Sequence, residues 1–508
     1  MTDISLDKYT EYFRPYLNVK KNSFIKSIEK IKNMPFRRQP QYIESLIKNG
    51  CADGSGFYSS SDLEKILLAH SEDLDCNINR IEYKQNHFLH VMTEAYFSGG
   101  HTRVVERWIE QSPLNEIHHI FFTSDNLAEL PKRLENAVIE KNGTITFSSK
   151  GDSILDKAKK LRIAAAAAQY VILHVHPYDT VPIIAFGTEK FNRPIIYYNH
   201  ADNLFWLGIS VADTVADLKT LGQNITLNRR KALNSFVLGI PTEKTCQKIK
   251  YDKSLIRKEL SLPPDKKIIL TYGMIHKYKP ILDFNFFNYA QEMLKDENIM
   301  MIMIGPKANE IKRKINTTIL NYKNFKLINR LPHNELIKYI CSADLVADSF
   351  PMVGGTAMID AINYDAPVVT VKDFVGQMDY IINSPAYCEN ITELIDKSKR
   401  LLYNETAAKE HIKALKLLVQ NYNEPHVFKE KLNNLYNLTP NRHKIYPFSS
   451  DSDFNFSPCD VFAYYSTTAH KTFKFFGLKF TLTAFKNYLN KKEYHFVIES
   501  GGKLLQLF

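Results

Sequence analysis

Short apolar runs alternate with amphipathic stretches along most of this chain, a pattern that predicts strands and helices in turn. Residues 88–92 are mainly apolar and lead into Gly99-Gly100-His101-Thr102, after which apolar positions recur at helical spacing as far as Ile109. Strands are then predicted at 117–123, 143–147, 170–176 and 194–198, with helices over 127–140 and 152–168. The stretch 181–186 fits a short helix or an extended segment. A polar, charged linker over 242–262 precedes a second series. It places strands at 268–273, 299–304, 325–328, 343–347 and 367–370, with helical patterns at 284–294, 309–320, 334–341 and after Gly355.

Elements of this length in alternation imply parallel, doubly wound sheets. The expected fold class is α/β, with Rossmann-like domains at 86–245 and 262–438. Residues 1–85 show helical periodicity at 42–47 and 62–68, interrupted by Asp53-Gly-Ser-Gly56, and predict a helical N-terminal extension. Residues 439–508 form a C-terminal aromatic and basic segment, in which Phe473-Lys-Phe-Phe-Gly-Leu-Lys-Phe480 interleaves lysines with aromatic rings. Such a stretch either lies on an anionic membrane surface or packs as a lobe with its lysines reaching water.

With 44% hydrophobic and 24% charged residues the chain is globular rather than disordered. A net charge of +11 suits an anionic small molecule or a membrane face. The lysines are spread without a dense basic arm, so nucleic acid is the weakest partner class. Six cysteines without a Cys-x-x-Cys pair argue for a reducing compartment and against a zinc site. The opening Met-Thr-Asp-Ile-Ser-Leu-Asp-Lys is polar, unlike a signal peptide, and no run approaches about 18 apolar residues. A cytoplasmic location is expected, with peripheral contact at the inner membrane face allowed by the basic aromatic tail.

The candidate chemistry centres on Asp348-Ser-Phe-Pro-Met-Val-Gly354-Gly355-Thr356, followed by Asp360. Paired glycines between a strand and a helix start offer backbone N–H groups and the positive end of a helix dipole to an anion. Asp360 lies one turn further on, where a carboxylate can take both hydroxyls of a ribose. A tight turn in any doubly wound sheet gives the same pattern. Lys277, shortly after Gly273, is an ordinary solvated lysine by itself, but is placed to meet a phosphate held by the later loop. In the first series polar residues gather at strand ends: His174, His176 and Asp179, then Asn199, His200 and Asp202. A histidine suits proton removal near neutral pH, and a carboxylate can orient it; each taken singly fits a structural role better than a catalytic one, and it is their gathering at successive strand ends that points to a site. Asp73-Leu-Asp75 and Asp451-Ser-Asp453 close no strand and are not read as metal sites.

These features together resemble the GT-B glycosyltransferases. The segment 262–390 looks most like the branch containing O-GlcNAc transferase and the bacterial cytoplasmic N-glycosyltransferases, through Met274-Ile-His-Lys277, Gly354-Gly355-Thr356, Asp360 and Asp365-Ala-Pro-Val-Val-Thr370. The first domain is similar only in general plan, through Gly99-Gly100-His101 and Trp206-Leu-Gly208. The resemblance implies two Rossmann-like domains facing a cleft, with the acceptor on 86–245 and a nucleotide sugar on 262–438. Gly273, Lys277, Gly354, Gly355, Thr356 and Asp360 would bind the donor. Gly99, Gly100, His176 and Asp179 would lie on the acceptor side, with His200, Asp202 or His101 as base. No tetratricopeptide repeat precedes the domains, and Val368 stands where the second acid of a Glu-x7-Glu pattern would be.

The expected activity is hexosyl or N-acetylhexosaminyl transfer from a nucleotide-diphosphate sugar, UDP-sugar favoured, to an acceptor hydroxyl. Inversion without a metal or other cofactor is expected, in bacterial surface polysaccharide or glycoconjugate synthesis. The acceptor is a glycan, lipid-linked or protein molecule. A protein glycosyltransferase, an epimerase on the same fold and a non-catalytic nucleotide-sugar-binding partner are the alternatives.

Overall fold

The computed structural model describes residues 6–74, 76–78, 81–97, 100–125, 130–242, 252–314, 317–450, 453–466, 497–500 and 503–506. The chain divides into two compact units, one of Asp7–Pro241 with Phe428–Phe508 and the other of Thr242–Val427 with Met1–Leu6.

The first unit is built on a seven-stranded sheet. Its strands are β1 (His87–Met92), β2 (Ile117–Phe122), β3 (Ile145–Phe147), β4 (Tyr170–His174), β5 (Ile195–Asn199), β6 (Thr214–Asp217) and β7 (Ser235–Val237). They pair in the order β3-β2-β1-β4-β5-β6-β7, and every pairing is parallel. Strands β4 and β5 are buried at every position, which is why they read as apolar runs without alternation. The helix over Ile154–Ala165 is shorter than the 152–168 expected, because Ser153 and Asp156 close a reciprocal capping box at its start. The stretch 181–186 is a helix, Val181–Phe186.

Helices Leu6–Lys32, Gln39–Lys48 and Ser61–Glu72 occupy the N-terminal region. Phe24, Ile43, Leu46, Leu63 and Leu67 share one hydrophobic core with Leu89, Val91, Val171, Leu173 and Tyr197 of the sheet. Two buried ions fasten them. Glu64 accepts hydrogen bonds from the amides of Gly208, Ile209 and Ser210 at 2.8, 3.1 and 2.7 Å. Arg162 donates to the carbonyls of Ser71, Ile184 and Ala185. The helices expected as an extension therefore pack as part of the first unit's core.

The helix Pro425–Leu438 was expected to close the second domain, but from Phe428 onward it belongs to the first unit. Phe428, Leu432 and Leu435 are buried, and Tyr436 stacks on Tyr170 with ring centres 5.0 Å apart. Residues 473–480, with their interleaved lysines and aromatics, lie outside the described residues, as do Asp75 and Asp451.

The second unit holds six strands: β8 (Lys267–Tyr272), β9 (Ile299–Gly305), β10 (Phe325–Asn329), β11 (Leu345–Ala347), β12 (Val368–Val371) and β13 (Tyr387–Cys388). Their order is β10-β9-β8-β11-β12-β13, again parallel throughout. The helix expected over 309–320 stops at Lys314, and a 3-10 turn covers Thr317–Asn321. Both sheets therefore reverse direction once, between β1 and β4 and between β8 and β11. Among the described residues no helix is long and apolar enough to cross a membrane.

Replacing Glu64 with alanine strands three buried amides at once. The unfolding free energy should fall by roughly 3 kcal/mol, since each unsatisfied buried donor costs about 1–3 kcal/mol. A urea midpoint equal to wild type would show that the N-terminal helices do not depend on this carboxylate.

Candidate active site

In an open parallel sheet a ligand docks beyond the carboxyl ends of the strands, where the strand order reverses. In the second unit, that position is filled by the residues following β8 and β11. Strand β8 ends at Tyr272 and Gly273 follows it, and the 3-10 turn Ile275–Tyr278 carries Lys277 back toward the sheet. Gly305, closing β9, has φ +119°, and a Cβ on it would stand 2.3 Å from the Gly273 carbonyl oxygen. Only glycine allows the two strand ends to pass this closely.

The loop after β11 is shaped by Asp348. Its Oδ1 accepts from the amides of Ser349 and Gly354 at 2.8 and 3.0 Å, and its Oδ2 from the Thr370 hydroxyl at 3.2 Å. The loop is thereby folded so that Gly354 caps the helix Gly355–Asn363. Lys277 Nζ donates to the Val353 carbonyl at 3.2 Å, one residue before the paired glycines. A Cβ on Gly354 would lie 3.4 Å from that ammonium. Burial pulls Lys277 below its ordinary pKa, opposed by the charges of Asp348 and Asp373. Burial likewise pushes Asp348 up to about 6, against the pull of Lys277 and the two amides.

No side chain caps the helix that begins at Gly355, and its first turn carries no acidic residue. The amide of Gly354 is already taken by Asp348, so Gly355 and Thr356 are the loop positions whose amides open the helix. A cation and a helix N-terminus thus stand at the same strand ends, an arrangement to which an anion can dock. Asp360 sits one turn further along, half-buried, and its charge helps keep the phenols of Tyr272 and Tyr380 protonated. Tyr272 and Tyr380 fix the helix start by donating to the carbonyls of Ala357 and Gly355. Lys277, Gly273 and Gly354 thus come together, with Gly355, Thr356 and Asp360 along one helix.

The first unit gathers histidines at the equivalent strand ends. His101, in the first turn of the helix Gly100–Gln111, donates from Nε2 to the backbone carbonyl of His174 at 2.8 Å. A carbonyl only accepts, so this bond fixes the tautomer and leaves Nδ1 as a bare lone pair. That Nδ1 is buried without a hydrogen-bond partner among the described residues, as is His200 Nδ1. The two rings lie 4.3 Å apart, and His176 lies 5.8 Å from His101. Burial, with His176 alongside, pulls His101 down to about 4. His200 is held well below its ordinary value by burial and by the neighbouring His101, His176 and His174. His176 is placed between Tyr96, which stacks on it, and the Tyr178 hydroxyl at 2.9 Å.

The acids expected beside these histidines are committed elsewhere. Asp179 accepts from the hydroxyls of Thr93 and Thr123 at 2.7 and 2.5 Å and from the Val181 amide, which ties the ends of β1 and β2 to the helix at 181. Asp202 pairs with Lys219 at 3.1 Å. Neither is recorded bonding a histidine of the cluster. Gly99 lies outside the described residues, and Gly100 opens the helix. Asp348 and Asp373 escaped the sequence reading as functional residues. The signal available was an acid closing an apolar run immediately before a glycine loop.

No family model matches this sequence, and no curated protein matches it. Solved structures do. A glycosyltransferase from Rickettsia africae is similar with a TM-score of 0.53 and 15% identity, over 70% of this chain and 99% of that one. The Anabaena protein HepE, solved in complex with UDP and glucose, is similar with a TM-score of 0.51 and 13% identity, over 69% and 99% of the two chains. An O-GlcNAc transferase mutant from Thermobaculum terrenum gives 0.48 and 11%, over 82% and 81%. The fold is that of the GT-B glycosyltransferases.

Asp348→Ala should unfold at lower urea, by about 3–5 kcal/mol, because it strands two amides and a hydroxyl and leaves the part-buried Lys277 with only the charge of Asp373 of the two that oppose its desolvation. A loss below about 1 kcal/mol would mean that the loop holds its shape by other contacts.

Proposed function

We propose that this protein is a glycosyltransferase that moves a hexosyl or N-acetylhexosaminyl group from a nucleotide-diphosphate sugar to an acceptor hydroxyl. The observation that carries the reading is Lys277 Nζ bonded to Val353 directly before the Gly354-Gly355-Thr356 helix start, at the point where the sheet reverses. The ammonium and the helix amides face the diphosphate and stabilise the charge that grows on it as the sugar leaves. Asp360, a turn further along, takes the ribose hydroxyls. UDP is the favoured nucleotide, supported by the fold shared with HepE, which was solved with UDP. The cation supplied by Lys277 is the basis for proposing transfer without a metal.

His101 is the proposed base. Its fixed tautomer presents Nδ1 to the acceptor hydroxyl, and the proton moves there as the oxygen attacks. The attack and departure on opposite faces of the sugar give inversion. Val368 is fully buried in β12, so no acid stands at the position where a Glu-x7-Glu pattern would place its second carboxylate. A glycan or lipid-linked acceptor in bacterial surface polysaccharide or glycoconjugate synthesis is proposed, with a cytoplasmic location and peripheral membrane contact through residues 473–480.

Lys277→Ala should lose the thermal stabilisation given by UDP and lower kcat about 10²–10³-fold, the effect of removing one preorganised charge donor. Stabilisation by UDP that survives in the mutant would move the donor site elsewhere. Stabilisation without turnover on any acceptor would favour the non-catalytic binding reading.

The base must be neutral to accept a proton, so activity falls as pH drops through its pKa. Because burial holds His101 near 4, kcat/KM should stay level from pH 8 to about pH 5.5 and fall only below that. An acid limb centred at 6.5 or above would assign the base to a more solvated group.

A further inference from the structure

Three histidines run through the core of the first sheet as a continuous chain. His118 on β2, His90 on β1 and His174 on β4 are each completely buried. His118 Nδ1 lies 2.9 Å from His90 Nε2, and His90 Nδ1 lies 2.9 Å from His174 Nε2. At the near end His118 Nε2 is 3.2 Å from Glu116 Oε2, just before β2 begins. At the far end His174 is the last residue of β4, and its carbonyl holds His101. His174 Nδ1 is buried without a hydrogen-bond partner among the described residues. The chain therefore crosses the sheet diagonally, from the amino edge of β2 to the carboxyl edge of β4. Trp108 packs edge-on against His90 and His174, and Phe88 stacks on His118.

A neutral imidazole has one donor and one acceptor nitrogen. A row of them joined nitrogen to nitrogen can have only two arrangements, in which every donor points one way or every donor points the other. The group at the end selects between them. We propose that Glu116, His118, His90 and His174 form a proton relay through the sheet, passing one proton between the histidine cluster at the carboxyl ends and the amino edge.

The balance is complete without any further reactant. With Glu116 ionised, His118 donates to it, His90 donates to His118, His174 donates to His90, and His174 Nδ1 is bare. A proton arriving at that Nδ1 sends the Nε2 proton of His174 to His90 Nδ1. The Nε2 proton of His90 then passes to His118 Nδ1, and that of His118 passes to the Glu116 carboxylate. The outcome is a neutral carboxylic acid, three neutral imidazoles of the opposite tautomer, and no cation left in the core. Direct protonation of the row is disfavoured: burial, with Lys141 and His119 nearby, pulls His118 down to about 3, while burial with His118 and His119 holds His90, and burial with His90 and His101 holds His174, well below their ordinary values.

Glu116 is the one member with an outlet, its side chain being 11% exposed. Burial pushes it up to about 7, opposed by the ammonium of Lys141, the Ser112 hydroxyl and Lys429. The phenol of Tyr436, which accepts from the Trp108 indole, is the remaining titratable group facing this end. The terminal carboxyl thus titrates within the working range of pH, while the imidazoles between it and the cluster stay neutral. Glu116 and the three imidazoles act through His101 and its neighbours, as positioning residues.

The test is the tautomer of each ring in full-length protein labelled with ¹⁵N-histidine, read by magic-angle-spinning NMR between pH 5.5 and 8.5. His90→Gln and His118→Gln spectra assign the signals. His90, His118 and His174 should exchange their protonated and bare nitrogens together, with one midpoint near neutrality. The exchange should vanish in Glu116→Gln. Should that variant not fold, Lys141→Met serves, because removing the opposing ammonium moves the midpoint upward. Fixed tautomers across the whole range, an exchange that survives Glu116→Gln, or an unmoved midpoint in Lys141→Met overturns the relay. The readout needs no substrate, so its failure is separate from any failure of the transferase reading.

Discussion

A carboxylate buried at the end of a central strand has to find donors for both oxygens, and Asp348 finds them in its own loop. Two amides and a hydroxyl close around it, at 2.8, 3.0 and 3.2 Å. The loop between β11 and the next helix is consequently not free to choose its shape. Gly354 is drawn in to donate, and the helix beyond it starts at Gly355 with its first amides unoccupied by any cap. Lys277 faces the same carboxylate and reaches the adjoining carbonyl of Val353. A buried negative charge without this cation would be costly, and the cation without the acid would lose pKa to desolvation. The lysine and the uncapped helix start are therefore brought together by satisfying one buried acid at the point where the strand order reverses.

The first unit uses its strand-end acids in the opposite way. Asp179 gathers Thr93, Thr123 and the amide of Val181. Asp217 takes Asn199, Ser235 and Thr226, and Asp213 takes the Ile195 amide and His443. Each locks neighbouring strands, and none is recorded bonding a histidine of the cluster. His101 and His200 are left with bare nitrogens instead of carboxylate partners. One unit sets a lysine beside an uncapped helix start, and the other leaves the Nδ1 atoms of His101 and His200 without hydrogen-bond partners among the described residues.

Much of this was legible from the chain. Apolar runs such as 170–174 and 195–199, buried at every position, predicted the parallel sheets, and the paired glycines and Lys277, 77 residues apart, do come together at the strand ends. What escaped depended on contacts distant in sequence. Glu64 lies in an ordinary amphipathic helix, and its three amide partners are 144 to 146 residues away. Asp202 stood beside His200 among the candidate bases, yet the turn sends it to Lys219, 17 residues further on. The helix after Pro425 has a plain charged periodicity, and only the rings of Trp108, Phe88 and Tyr170 reveal which sheet it serves. His90 and His118 sit in runs that predict strands whatever their polar residues do, and one-dimensional spacing cannot register a diagonal across three strands.

That diagonal carries its own physical argument. Leucine at positions 90, 118 and 174 would bury as well and need no hydrogen bonds. A single histidine there would leave a nitrogen orphaned at a cost of about 1–3 kcal/mol. Three in line pair every ring nitrogen except His174 Nδ1, and the row closes at its other end on a group that can either donate or accept. Glu116, pushed up to about 7, is such a group. The open nitrogen at the other end belongs to His174, the same residue whose carbonyl fixes the tautomer of His101. The row and the proposed base thus share one residue: His174 belongs to the row through its ring and holds His101 through its carbonyl.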